Sequence, residues 1–361
     1  MVSTASTTFQ ALRGVRVLSL ALNLPGPAAL MRCQQMGATC TKLEPPAPAG
    51  ANSGDPMAAY CPAAYNAMHS GIHHLQADLK TPAGQQTLHT ALASTDVFIT
   101  SFRPSALPKL GLVWDTLHTK YPALSQVAIV GAPGARADEP GHDLTYMAEN
   151  DLVTDLNLPP TLYADMGGSL AASEAVLQAV LHQRLEGTGI YLEVALSEAA
   201  AYLALPRHWG LTQAGGMVGG AHAGYGVYAC KDGRVALAAL EPHFARSLCL
   251  AAGLDDAGGK ALLTAKGRDA IAAFLLIAAP KTNGTLPVDS LGGTGIFTAI
   301  LVAIYCVEMM RFLKAHNIGI RLPDQVPPMI KNSFDLLIPV LVVVLTLFVL
   351  ARLVAGGRKN R

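Results

Sequence analysis

Residues 16–43, RVLSLALNLPGPAALMRCQQMGATCTKL, hold the pattern that decides the fold. They open with a short apolar strand at 16–20, continue with a helix of small residues at 28–36, and end with a second strand at 39–43. A strand, a helix and another strand in succession are typical of the βαβ unit, whose two strands lie parallel in one sheet. The stretch therefore predicts an α/β fold.

The same alternation of strand and helix continues to about residue 275. Short apolar or β-branched runs predict four further strands, at 96–100, 125–130, 191–194 and 235–240. An amphipathic run predicts a long helix at 169–185, and the alanine- and leucine-rich stretch at 243–276 is mostly helical. The first 275 residues thus read as a globular α/β protein.

The composition is that of a folded chain with little charge. Its 361 residues are enough for two domains, 51% are hydrophobic and 14% are charged, and the mean hydropathy is +0.34. These values exclude a disordered chain, and the net charge of +1 gives no electrostatic reason to expect nucleic acid. The chain opens without the apolar region of a secretory signal, and its six cysteines form no Cys-x-x-Cys pair. We therefore expect reduced cytosolic thiols and no structural zinc site.

The chain changes character near residue 280. Residues 296–313 and 336–354 are almost entirely apolar, and each approaches the roughly 20 residues that a membrane-spanning helix needs. We expect two transmembrane helices, with buried core helices as the alternative. Basic residues lie on both sides of the second segment, so the pattern leaves its orientation open.

One histidine and one aspartate stand out as candidate catalytic residues. His142 follows a Gly/Pro-rich loop after a predicted strand, and Asp165 precedes Gly167-Gly168, which we expect to form a turn opening the helix at 169–185. An imidazole and a carboxylate facing each other across a carbon acid can remove and return a proton. Free backbone N–H groups at the helix start could hold the enolate oxygen. The alternatives are a local helix cap for Asp165 and an ordinary loop histidine for His142.

Glu241 ends the strand predicted at 235–240 and could orient a histidine, as the acid of a catalytic triad does. The alternative is a solvated charge at a strand end. Three nucleotide or hydrolase signatures are absent from the sequence: the glycine-rich dinucleotide fingerprint, the Walker A motif and the Gly-x-Ser-x-Gly elbow. Their absence counts against dinucleotide-binding, P-loop and α/β-hydrolase classes.

Short motifs follow one another along the chain in a fixed order. They are Pro25-Gly26-Pro27, Met36-Gly37-Ala38, Lys42-Leu43-Glu44-Pro45, Asp78-Leu79-Lys80, Ser101-Phe102-Arg103-Pro104, Leu110-Gly111-Leu112, Gly141-His142-Asp143, Asp165 with its glycines, and Gly187-Thr188-Gly189. Each motif is weak alone, but in this order they resemble the family III CoA transferases, a superfamily that includes the α-methylacyl-CoA racemases. The resemblance covers about residues 10–275.

The resemblance implies an acyl-CoA enzyme that acts as a homodimer and uses coenzyme A thioesters but no metal. It implies a Rossmann-like, CoA-binding large domain at 1–205 and the start of a smaller second domain at 206–279. By the same resemblance Asp165 is the key carboxylate. In transferases this aspartate attacks the thioester and forms a mixed anhydride, whereas in racemases it exchanges the α-proton together with a histidine, here His142.

The resemblance also assigns the remaining site residues. Glu241 lies in a racemase-like Leu-Glu-Pro-x-Phe context, and Lys42 and Arg103 match positions where the family places basic contacts to CoA. Further contacts to the bound CoA thioester are expected from three residues around the histidine, namely Gly141, Asp143 and Tyr146.

The sequence departs from the family pattern in two places. Residues 68–74, MHSGIHH, replace the usual Asn-Arg-Gly-Lys-Arg-Ser, which removes a basic pair that could contact phosphate. The Gly-Gly-Gly-Gly-Gln tract of some transferases is also missing, and this slightly favours racemase chemistry over transfer. We therefore expect the chain to exchange the α-proton of a 2-methylacyl-CoA, with CoA transfer between carboxylic acids as the alternative.

The C-terminal part resembles a different family. The stretch LPDQVPP at 322–328 lies between the two apolar segments, and about 285–355 is similar to a fragment of the membrane IIC component of lactose/cellobiose-type sugar phosphotransferase systems. We expect 280–361 to be a membrane helix pair that carries no transport residue. The chain then reads as a chimera, cytoplasmic over 1–275 and membrane-associated if the tail is genuine. A non-functional chimera and a permease fragment are the remaining alternatives.

Overall fold

The computed structural model describes residues 10–230, 233–256 and 259–278, with short pieces at 305–309, 311–313, 315–316, 342 and 345–346. The chain divides into two compact units, Met1–His208 and Trp209–Arg361. Each unit has its own apolar core.

The first unit is built on a six-stranded sheet in which all neighbouring strands are parallel. Its strands are β1 Arg16–Ser19, β2 Thr39–Glu44, β3 His73–Gln76, β4 Val97–Thr100, β5 Ser125–Val130 and β6 Tyr191–Ala195. Their order across the sheet is β3-β2-β1-β4-β5-β6. The predicted α/β fold with a parallel sheet is confirmed, and β3 is a strand that the sequence pattern did not predict.

Ten helices accompany this sheet in the described residues of the first unit. They are α1 Pro25–Gln35, α2 Met57–Tyr60, α3 Pro62–Met68, α4 Pro82–Leu92, α5 Leu107–Leu110, α6 Trp114–Lys120, α7 Asp143–Glu149, α8 Tyr163–Glu186, α9 Leu196–Leu203 and α10 Leu205–His208. Short 3₁₀ turns lie at Pro104–Ala106 and Gly134–Arg136.

Helices cover both faces of the sheet, and this explains its apolar strands. On one face Val127 and Ile129 of β5 join a buried cluster with α1 and α8, and on the other Phe98 of β4 joins Leu88 and Leu117 of α4 and α6. Successive side chains of a strand point to opposite faces, so a strand covered on both sides is apolar at every position. The apolar runs at 97–99 and 127–130 are what made β4 and β5 visible in the sequence, although β5 begins with the buried polar residues Ser125 and Gln126.

The strand order places a crevice between β1 and β4. The chain builds outward from β1 to β2 and β3, and then returns to the other side of β1 with β4. At such a switch point the loops after the two strands diverge, and ligands of parallel α/β sheets bind outside the carboxyl ends of those strands. The loops after Ser19 and Thr100 therefore frame the natural position of a site.

The glycine pair before the long helix is not a turn, which corrects the sequence prediction. Helix α8 already begins at Tyr163, so Gly167 and Gly168 lie inside it. A Cβ on Gly168 would lie 2.2 Å from Cδ2 of Leu196 on α9, too close for any real contact. Gly168 therefore lets α8 and α9 pack closely without a shift of the Leu196 side chain, and Asp165 lies in the first helical turn.

The second unit contains a β-hairpin and two longer helices in its described residues. Strands β7 Tyr225–Cys230 and β8 Gly233–Ala238 pair antiparallel, and α11 Pro242–Ala251 and α12 Ala265–Ala278 follow. Buried residues of both helices, among them Leu248 and Ile271, share one apolar cluster with Tyr228 of β7. The helical prediction for 243–276 is confirmed in outline, although a 3₁₀ turn at Lys260–Leu263 interrupts it.

Among the described residues, no helix combines the length and apolar character that a membrane crossing requires. The spans expected at 296–313 and 336–354 fall largely outside the described residues, so they stay predictions.

Candidate active site

A cavity of about 470 Å³ opens at the carboxyl end of the parallel sheet. Its walls come from the loops that follow β1, β4 and β5 and from the first turns of α8 and α9. It contains five of the eight predicted site residues: Arg103, Gly141, His142, Tyr146 and Asp165. Residues from distant parts of the chain thus meet at the switch point of the sheet.

Asp165 is half-buried in the first turn of α8, and its own backbone N–H donates to Oδ1 of Asp143 at 2.9 Å. Burial raises the pKa of the Asp165 carboxyl to about 6, the Asp143 carboxylate adds to the rise, and His142 opposes it. Perturbed carboxyl groups in a cleft are frequent at catalytic sites. Asp165 can therefore be present in both protonation states near neutral pH.

Asp143 acts on this turn as a helix cap. Its side chain is buried and accepts from the Asp165 backbone, which satisfies one of the free N–H groups at the start of α8. The contact with a ligand that the resemblance implies for Asp143 stays a prediction. One of the backbone donors expected to hold an enolate is thereby already occupied.

His142 precedes α7 and is exposed on the cavity wall. Its backbone N–H donates to Oγ1 of Thr145 at 3.0 Å, and its carbonyl accepts from the Thr145 N–H at 2.9 Å. These contacts with Thr145 fix the backbone of His142 at the start of α7.

Tyr146 is buried behind two glycines of the cavity wall. A Cβ on Gly131 would lie 2.1 Å from the Tyr146 hydroxyl oxygen, and one on Gly141 would lie 2.5 Å from it. Both glycines are thus required by the ring, which explains the glycine of the Gly-His-Asp motif. Burial, and then the charge of Asp165, raise the pKa of Tyr146.

Arg103 lies exposed at the cavity, three residues after the end of β4, and forms no ion pair among the described residues. A free guanidinium offers five N–H donors and binds phosphate or carboxylate groups in a bidentate manner. Its position fits the predicted contact with an anionic ligand.

The structure places Lys42 away from the cavity lining. Its side chain is completely buried, and Nζ donates to the Ala21 carbonyl at 2.5 Å and to Oδ2 of Asp55 at 2.9 Å. The ammonium is therefore committed to an internal ion pair, and a direct contact with CoA stays a prediction.

Glu241 belongs to the second unit, where it is exposed and directly precedes α11. Its carbonyl accepts from the Ala245 N–H at 2.9 Å. Its part in orienting a histidine stays a prediction.

Sequence analysis missed the loop after β1, which supplies Asn23 to the cavity wall. Asn23 has a left-handed backbone, with φ of 64°, and its N–H donates to both carboxylate oxygens of Asp55 at 3.1 and 3.2 Å. Asp55 also accepts from the N–H of Met57, another wall residue, at 3.0 Å. The buried Lys42–Asp55 pair therefore supports this wall from behind. Tyr60, also in the wall, gave no sequence signal.

A family model that matches most of the chain identifies its family. The model of CoA-transferase family III matches residues 12–283, three quarters of the chain. The chain belongs to CoA-transferase family III. A second model, phosphotransferase system EIIC, matches residues 247–357 and confirms the resemblance of the C-terminal part. The two matches overlap at 247–283, where α11 and α12 pack with the hairpin of the second unit.

Individual relatives agree with this family. The chain is 29% identical to cinnamoyl-CoA:phenyllactate CoA-transferase of Clostridium sporogenes, over 52% of this chain and 50% of that protein. It is 28% identical to alpha-methylacyl-CoA racemase of Mus musculus, over 68% of this chain and 65% of that protein. The crystal structure of a CAIB/BAIF family protein from Brucella suis has the same fold, with a TM-score of 0.61, 21% identity, and coverage of 80% of this chain and 81% of that one. The chain spans about half the length of the first curated family III relatives it matches.

Proposed function

We propose that this family III chain exchanges the α-proton of a 2-methylacyl-CoA thioester, with Asp165 and His142 as the acid–base pair. The observation that carries the proposal is the cavity that both side chains line, in which the pKa of Asp165 is raised to about 6. An acid with such a pKa both gives and takes a proton efficiently near neutral pH.

In the proposed reaction one of the two groups removes the proton from the carbon beside the thioester carbonyl. The electron pair of the broken C–H bond moves onto the carbonyl oxygen as an enolate. The other group then protonates the opposite face of that carbon. The N–H groups at the start of α8 that Asp143 does not occupy would stabilise the enolate oxygen.

Binding of the CoA moiety is assigned to the remaining polar residues of the cavity. The unpaired guanidinium of Arg103 would hold an anionic group of CoA. Gly141 lets Tyr146 form the wall beside His142. No cofactor other than the acyl-CoA substrate is needed for this chemistry.

The second candidate is CoA transfer between carboxylic acids. Here the Asp165 carboxylate would attack the thioester carbonyl, expel the CoA thiolate and form a mixed anhydride. The transferase relative supports it, and the half-buried, poorly solvated carboxylate suits a nucleophile. The racemase relative and the histidine in the same cavity support proton exchange.

The two reactions are separated by incubating the full chain with a 2-methylacyl-CoA in heavy water and measuring deuterium uptake by mass spectrometry. We expect uptake without any added acid, and its loss in His142→Ala and Asp165→Asn. His73→Ala, which removes an exposed histidine of β3, serves as the matched control. Uptake that is absent, with CoA exchange that requires a free acid and survives His142→Ala, would establish transfer instead.

For the rest of the chain we propose the arrangement that the resemblance implies. The CoA-binding large domain ends near 205, a shortened second domain follows to 279, and 280–361 forms a pair of membrane helices. The homodimer and the cytoplasmic placement of 1–275 belong to the same proposal. Sequencing reads that run unbroken through codons 270–295 would make the fusion genuine, and reads that break there would make the EIIC-like tail an artefact.

A further inference from the structure

Three buried side chains from separate segments meet behind the wall of the cavity. They are Glu44 at the end of β2, Asp55 in the loop before α2, and His69 directly after α3. One ligand atom of each lies within 4.8 Å of the ligand atoms of the other two. Their exposed fractions are 2%, 1% and 6%, so the cluster lies in the interior of the first unit.

The imidazole of His69 has one committed nitrogen and one free nitrogen. Nδ1 lies 2.7 Å from the Tyr65 carbonyl oxygen, which can only accept, so Nδ1 carries the proton. Nε2 is then a bare lone pair, and this atom is buried without any hydrogen-bond partner in the described residues. Metal-binding histidines are held in this manner, with one ring N–H on a carbonyl and the other nitrogen on the ion.

The carboxylates of the cluster are oriented by donors and carry an excess of negative charge. Glu44 accepts from the hydroxyl groups of Tyr65 at 2.8 Å and Ser53 at 2.5 Å, both of them neutral. Asp55 accepts from the Lys42 ammonium at 2.9 Å and from the backbone N–H groups of Asn23 and Met57. His74 Nδ1 lies 3.8 Å from Oε1 of Glu44, but burial lowers the pKa of this histidine, so two carboxylates face one ammonium. Glu44 accepts one hydrogen bond on each oxygen and retains further lone pairs.

We propose that Glu44, Asp55 and His69 bind a divalent transition-metal ion of the zinc class, in a structural site behind the cavity. One imidazole nitrogen with two carboxylate oxygens is a ligand set for such ions, whereas magnesium and calcium prefer oxygen alone. Because Asp55 also holds the N–H groups of Asn23 and Met57, the ion would stiffen the wall of the cavity. The ligands are separated by 11 and 14 residues, a spacing that resembles no zinc motif.

The Lys42 ammonium competes with a metal ion for the Asp55 carboxylate. It already supplies one positive charge to Asp55, so a divalent ion has to bind against its repulsion. Replacing it in Lys42→Met leaves two buried carboxylates without a counter-charge. We therefore expect Lys42→Met to bind the ion about tenfold more tightly than the wild type.

The test is a titration of the full chain with Co²⁺, followed by its visible absorption, together with melting curves in Zn²⁺ and in Mg²⁺. We expect a stoichiometric Co²⁺ spectrum that Zn²⁺ abolishes, and a melting temperature of the first unit that rises with Zn²⁺ but not with Mg²⁺. Neither readout depends on catalytic activity.

His69→Asn and Glu44→Gln should abolish the spectrum and the Zn²⁺-dependent rise in melting temperature. His73→Ala, which removes a neighbouring exposed histidine, should leave both unchanged. Absence of a Co²⁺ spectrum in the wild-type chain would overturn the proposal, and so would an unchanged spectrum in folded His69→Asn. If one ligand variant does not fold, the other decides. Loss of metal binding in His73→Ala would show binding by surface histidines only.

Discussion

The parallel sheet of the first unit and the hairpin of the second unit bury their strands differently. Every residue of β4 and β5 is buried, whereas Tyr228 is the one buried residue of β7, and β8 has none. The sheet is covered by helices on both faces, but a two-stranded hairpin has only one side to pack. The difference teaches that β4 and β5, whose following loops form the cavity, belong to the core of the first unit, while much of the hairpin can change without loss of a core.

The largest contrast is expected from one charge placed in each sheet. Val127→Asp puts a carboxylate into the fully buried centre of β5 and should destabilise the first unit by about 4 kcal/mol or more. Val227→Asp, at a position of β7 that is 67% exposed, should change stability by about 0.5 kcal/mol at most. Urea melts followed by circular dichroism measure both. Equal losses of stability in the two variants would contradict the difference in burial between β5 and β7.

Asp165→Asn should separate the catalytic role of the first unit from its stability. We expect deuterium exchange to fall about 10³-fold, because an amide neither gives nor takes the proton. Stability should rise by about 1–2 kcal/mol above pH 6. The folded-state pKa of Asp165 is raised, so ionisation disfavours the folded state and stability is lost as pH rises from about 4 through about 6.

Asp155→Asn is the matched control, since this exposed aspartate of the same unit lies in a loop. It should leave both the exchange rate and the melting curve unchanged. An Asp165→Asn variant that keeps its activity would remove Asp165 from the proposed mechanism.

Gly131→Ala should test the wall of the cavity. Its Cβ would lie 2.1 Å from the Tyr146 hydroxyl oxygen, so the ring must move, at a cost of about 1–3 kcal/mol. Tyr146→Phe in the same chain should recover part of this loss. In Gly167→Ala the nearest atom is the flexible end of Leu203 at 3.1 Å, and helix propensity favours alanine by up to about 1 kcal/mol. Thermal melts should therefore show a lower melting temperature for Gly131→Ala, a smaller decrease for the double variant, and an unchanged or higher one for Gly167→Ala.

The smallest effect is expected in the pH profile of the wild type. With Asp165 as one member of the pair, the exchange rate should bend near pH 6, where its carboxyl ionises. The bend should persist in Val227→Asp, because that exposed hairpin position has no part in the proposed pair. A rate without any inflection between pH 5 and pH 7 would contradict the role of the raised pKa.

The alternation of strands and helices in the first unit was predictable because local patterns carry it. Continuous apolar runs predicted β4 and β5 within one residue, and the small-residue helix after β1 was also expected. Strand β3, with sequence HHLQ, escaped because three of its four residues are exposed and none is β-branched. The motifs named five residues that do line one cavity, although nothing local could bring them together.

The sequence by itself determined the α/β class, the order of motifs and therefore the family, because periodicity and short motifs are properties of neighbouring residues. The tertiary structure alone decided which charges are buried and which face the cavity. Lys42 reads as a basic contact for a ligand, yet packing turns it into the internal partner of Asp55. Nothing in the sequence around Asp165 indicates an unusual pKa, and only its burial in the fold, together with the nearby Asp143 carboxylate, raises the pKa to about 6. Solvation and charge proximity depend on segments far apart in the chain, so no local pattern could have fixed them.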